Sequence, residues 1–155
     1  MKRVLLAVIL LLISSQLYAS DTGKDLKAFA HNYFEKMVAT QSPDATNEDL
    51  ESYLKLLTDD IGHTHLPWET DGTRKPGGKE SMRKGMIFYL GSHTEYSAEL
   101  LEVFIFNDSA IALRYKDQAK GIHPQSNQKV EYSQTMMEIL EMDQGKVAVI
   151  RKYHE

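Results

Sequence analysis

Residues 129–154 read KVEYSQTMMEILEMDQGKVAVIRKYH, and two features of that stretch decide the fold. Side chains alternate with a period of 2, which sets Tyr132, Gln134, Met136, Glu138 and Leu140 on one face of an extended strand. The turn residues Asp143-Gln144-Gly145 then break the alternation, so the chain doubles back into a second strand over Lys146–His154. Working backwards, the same period runs through Tyr96–Phe106 and Ala110–Ala119, with turns at Asn107-Asp108-Ser109 and from Gly121 to Asn127. Beyond Gly91 the chain is therefore a long meander of strands.

Before Gly91 the period is helical. Leu26, Phe29, Ala30, Tyr33, Phe34, Met37 and Val38 form one stripe of a helix over about Asp21–Thr40. A turn-rich break from Gln41 to Thr46 follows, and Thr46 or Asn47 can cap a second helix that carries Leu50, Leu54 and Leu57 and ends near Thr58-Asp59-Asp60. A short strand is expected over Ile61–Leu66, closed by Pro67, and then a loop rich in Gly, Asp, Thr and Pro from Glu69 to Gly78. The third helix is expected over Lys79–Leu90, with Met82, Met86 and Tyr89 or Leu90 inward and Gly91 as its stop.

The N-terminus reads differently from the rest. Lys2-Arg3, an unbroken apolar run Val4–Ile13 and the exit Ser14-Ser15-Gln16-Leu17-Tyr18-Ala19 have the order of a secretory leader, and the run is too short to span a bilayer. We expect residues 1–19 to be a signal peptide, residues 20–155 to be the mature domain, and the protein to be exported, periplasmic or secreted, with no stable membrane insertion. Without Lys2 and Arg3, 16 basic residues face 22 acidic ones, a net charge of −6. An acidic domain with no basic run cannot neutralise a phosphate backbone, which argues against nucleic acid as a partner. The chain has no cysteine, which excludes disulfides, thiol catalysis and thiolate metal sites.

The element order, with three phrases, resembles the nuclear transport factor 2-like superfamily, in particular its SnoaL-like and ketosteroid-isomerase-like branches. The phrases are Leu56-Leu57-Thr58-Asp59-Asp60-Ile61 leading to Pro67, Gly78-Lys79-Glu80-Ser81-Met82-Arg83 opening the third helix, and Glu138 to Val147 leading into the last strand. The resemblance covers nearly all of the mature chain. It implies an α+β cone-shaped roll in which three N-terminal helices pack on a strongly curved, mainly antiparallel sheet, leaving a deep and largely apolar pocket. It also implies a small-molecule ligand and a homodimer, for which Val103, Ile105, Met137 and Ile139 offer apolar positions. The fold by itself does not choose between enzyme and binder.

Candidate chemistry centres on Ile61 to Trp68. Alternation sets His63 and His65 on one strand face, and the resemblance places His65 where ketosteroid-isomerase-like members carry an acidic general base. An imidazole there could shuttle protons at neutral pH; the alternative is a pair of strand-end histidines bonded to backbone or water. The resemblance also matches Glu138 to an acidic family position, either in a pocket wall as a protonated hydrogen-bond donor or on a solvated face. Trp68 could lid the pocket, and Tyr115, Tyr132 and Met136 are expected to contact ligand, Tyr115 excluding its neighbour Arg114 by parity. His63 and His65 with His93 or His123 would satisfy a metal count, but no third ligand lies at short fixed spacing, so we expect no metal. No nucleophile, phosphate-loop or dinucleotide motif is present, and no cofactor is expected.

Overall fold

The first helix owes its position to its stripe: Ala30, Tyr33, Phe34 and Met37 are all buried against the sheet. The computed structural model describes residues 25–155, of which 25–39 belong to this helix, α1. The expected leader, residues 1–19, lies outside the described residues. Helix α2, Asn47–Leu54, starts at a capping box in which the Thr46 side chain and the Asp49 carboxylate each satisfy the other's backbone N–H. It ends earlier than its apolar spacing suggests. Leu57, expected on this helix, instead opens strand β1, Leu57–His65, and is fully buried opposite Val147. Leu56 O accepts the Val147 N–H at 2.9 Å, so sheet pairing overrides a helical spacing too short to hold itself together.

Helix α3, Gly78–Tyr89, follows a long loop and has no fully buried residue. It begins at a pair of glycines with separate reasons. Gly77 has φ 79°, a left-handed conformation, whereas a Cβ on Gly78 would lie 2.3 Å from the Ile61 carbonyl oxygen. Gly62 is similarly pressed, with the Gly72 carbonyl oxygen 2.2 Å from where its Cβ would be. The loop therefore lies flat on β1, and Arg74 ties it down with bonds to Asp60 at 2.9 Å and to Asp143 at 2.8 Å.

Strands β2 (His93–Phe106), β3 (Ala110–Ile122), β4 (Lys129–Asp143) and β5 (Lys146–His154) complete an open five-stranded sheet in the order β1-β5-β4-β3-β2. Only the β1–β5 pair is parallel. Register shifts between Leu100 and Glu102 and between Glu141 and Met142 are bulges, which bend a sheet and increase its twist. The core lies between the inner face and α1 and α2, with Leu50, Leu54, Leu113, Leu140 and Ile150 at its centre. Parity corrects one expectation. Val103 and Ile105 pack against this core, whereas Met137 and Ile139 lie on the outer face with Phe104, so the four do not form one apolar surface. Among the described residues no helix is long and apolar enough to cross a membrane.

Candidate functional site

Because α3 stands off the sheet, a cavity of about 750 Å³ remains between its inner side, the β1–α3 loop and the sheet. Met37, Met82, Met86 and Met136 give it flexible apolar walls, and Tyr53, Tyr96, Tyr115 and Tyr132 line it with phenols. A row of polar side chains crosses the floor strand by strand: His63 and His65 from β1, Lys152 from β5, Gln134 from β4 and Asp117 from β3. Register explains the row, since His65 pairs with Lys152 and Asp117 with Gln134.

The two histidines are held neutral. Burial first, and the Lys152 ammonium second, push both imidazoles down from 6.5 to about 4. His65 Nε2 lies 2.9 Å from His154 Nε2, and His154 Nδ1 lies 2.9 Å from Gln134 Oε1. Asp117 is buried, its Oδ1 has no partner, and burial raises its carboxyl above the ordinary range. Burial, with the Asp117 charge beside it, carries the Tyr132 phenol up to about 12.

Beneath this floor lies a second polar layer. Glu138 is fully buried; its Oε1 accepts the Tyr33 hydroxyl at 2.5 Å and its Oε2 the Tyr115 hydroxyl at 3.0 Å, with Lys152 Nζ 3.4 Å away. The Tyr33 and Tyr53 hydroxyls are 2.9 Å apart, and burial pushes the phenols of Tyr33, Tyr53 and Tyr115 up.

Of the residues singled out in the sequence, His63, His65, Tyr115, Tyr132 and Met136 all line the cavity. Two do not. Glu138 stands behind the wall and acts as an acceptor for protein groups, which corrects its expected role as a donor to a ligand oxygen: three partners already occupy it. Trp68, expected as a lid, is 73% exposed and outside the cavity lining, packed edge-on against His65 and His154 at 5.2 and 5.0 Å. Sequence reasoning also missed Asp117, Lys152 and His154. Asp117 has the parity of Tyr115, and Lys152 and His154 that of Ile150, so the alternation already used for their neighbours carried the signal.

No family model matches the sequence, and none of the curated proteins matches it. Solved structures do. A nuclear transport factor 2-like protein from Exiguobacterium superposes with a TM-score of 0.61 at 11% identity, covering 81% of this chain and 97% of its own. An LEH-like epoxide hydrolase from M. tuberculosis gives 0.55 at 16% identity over 79% of this chain and 80% of its own. A phenazine biosynthesis-related protein from Pseudomonas aeruginosa gives 0.58 at 15% identity over 85% and 84%. The class is thus one of fold: the chain has the nuclear transport factor 2-like α+β roll, open at one end on a pocket lined by phenols and imidazoles.

Proposed function

We propose that this chain is an exported SnoaL-like pocket protein that binds a small, partly apolar organic molecule and moves a proton on it with His65. The observation that carries this reading is a pair of imidazoles, His63 and His65, on the wall of a cavity of about 750 Å³, both with pKa values pushed to about 4. Such rings are unprotonated at neutral pH and serve as acceptors. That volume suits a drug-sized molecule, and the methionine and tyrosine walls suit one with a flat apolar body. The Lys152 ammonium beside them is placed to offset negative charge that develops when a proton leaves. Asp117, which also lines the cavity with a carboxyl raised by burial, is the second group able to exchange a proton with the ligand. Two proteins of this fold, an epoxide hydrolase and a phenazine biosynthesis-related protein, carry names tied to small organic molecules, which supports the ligand class.

Native mass spectrometry of the protein recovered from its producing cells should show a retained organic molecule on a chain that begins near Ser20. Turnover of that molecule should vanish in His65→Ala while the domain stays folded. Undiminished turnover would remove His65 from the chemistry, and a chain that never retains or shifts with any organic molecule would remove the reading.

One observation favours a second reading, assembly through the sheet. On the outer face Phe104 is 45% exposed and lies in register with Ala112 and Ile139, beside Met137 and Tyr153. A homodimer covering this row is expected to sediment at twice the chain mass at micromolar concentration, and Phe104→Asp to return it to the monomer. A wild-type monomer under those conditions contradicts this reading.

A further inference from the structure

The hydrogen bonds around His65 run in one direction, and that direction follows from what each atom can carry. Gln134 Oε1 has no hydrogen, so at 2.9 Å from His154 Nδ1 it must accept one from that ring. A neutral imidazole carries a single N–H, which leaves His154 Nε2 as a lone pair. The hydrogen shared between the two Nε2 atoms, 2.9 Å apart in rings only 6° from parallel, then belongs to His65. Asp117 lies on β3 as the cross-strand neighbour of Gln134, next in the same row. One chain of donors and acceptors thus links β1, β5 and β4 through His65, His154 and Gln134.

We propose that His154 and Gln134 are positioning residues that lock His65 with its hydrogen on Nε2, so that Nδ1 is the only ring atom able to take a proton from a bound molecule. This rests on the proton-transfer reading above and deepens it, because it defines the ligand. The remaining wall adds further acceptors. Tyr115 spends its hydrogen on Glu138 Oε2 and Tyr33 spends its own on Oε1, so the hydrogen between Tyr33 and Tyr53 comes from Tyr53. Both phenols that reach the cavity from this network, Tyr53 and Tyr115, offer it lone pairs only. Tyr96 and Tyr132, which also line the cavity, keep a hydroxyl hydrogen to give, and the Lys152 ammonium is a further donor. The ligand class is a molecule bearing a hydroxyl, enol or N–H group whose hydrogen can pass to His65 Nδ1.

The test reads the imidazole nitrogens of the unliganded protein by ¹⁵N NMR at pH 7. The expected spectrum has His65 as a single tautomer with Nε2 protonated and Nδ1 bare, and His154 as the opposite tautomer. In Gln134→Leu both rings should lose that single-tautomer pattern and average, whereas Gln134→Glu, which keeps an acceptor, should retain it. A His65 ring protonated on Nδ1, or averaging between forms in the wild type, overturns the proposal, as does an unchanged pattern in Gln134→Leu. If that variant does not fold, the wild-type spectrum decides alone. Because no ligand is needed, a failed tautomer assignment is distinguishable from failure to find a bound molecule.

Discussion

Replacing Glu138 with leucine is expected to destabilise the fold by about 4 kcal/mol, the range seen when one partner of a buried charged pair is removed. The side chain is completely buried and holds Tyr33, Tyr115 and Lys152 from α1, β3 and β5. Leucine fills the space but leaves the Tyr115 hydroxyl without its acceptor, Tyr33 with only the Tyr53 oxygen, and an ammonium without its counter-charge. Removing the charge at the other end as well, in Glu138→Leu with Lys152→Met, should restore much of the loss, since an apolar pair of similar volume has no charge to desolvate. Denaturant unfolding of the two single variants and the double variant closes the cycle. A Glu138→Leu protein within 1 kcal/mol of wild type would show that the three partners do not depend on it.

The second large effect is on pH. His63 and His65 titrate near about 4 in the folded protein against 6.5 for a free imidazole, so between those values the unfolded chain binds protons that the native state refuses. Stability is then fully present above pH 6.5 and falls as pH drops toward 4, below which both states are protonated and the loss levels off. A shift of that size corresponds to about 3 kcal/mol per ring at most, and we expect on the order of 3 kcal/mol for the pair, since both rings keep some solvent contact. Asp117 opposes this, because its raised carboxyl takes up a proton in the native state first. The carboxylates with lowered values, such as Asp59, Asp60 and Asp71, lose their partners only at lower pH. Unfolding midpoints measured from pH 7 to pH 4.5 should therefore slope downward in wild type and flatten in His63→Gln/His65→Gln; equal slopes would contradict the assignment.

Much of this was legible without coordinates. The period-2 run from Tyr132 to Leu140 predicted which side chains share the inner face, and the stripe from Leu26 to Val38 predicted the buried side of α1, because both are set by local backbone geometry. What alternation cannot supply is the phase between strands. Val103 and Met137 each lie on a well-read strand, yet they face opposite sides because the β2–β3 turn pairs Val103 with Leu113 while Met137 pairs with its neighbour Arg114. Leu57 was misplaced for a related reason: three leucines at helical spacing cannot reveal that a strand nearly ninety residues later competes for one of them. Within the site, His65 was visible from its own strand, but the His154 and Gln134 atoms that orient it came from β5 and β4 and were unseen until register was known.

Helix α3 contributes Met82, Gly85, Met86 and Tyr89 to the cavity while burying none of its residues completely. The fully buried core is formed by α1, α2 and the sheet, and Met82 and Met86 only reach its edge, so changes of bulk on the inward side of α3 cost less than changes at its centre. Ligand preference and structural integrity thereby reside on separate stretches of polypeptide, and a change of molecular diet in this chain would be written first between Gly78 and Tyr89.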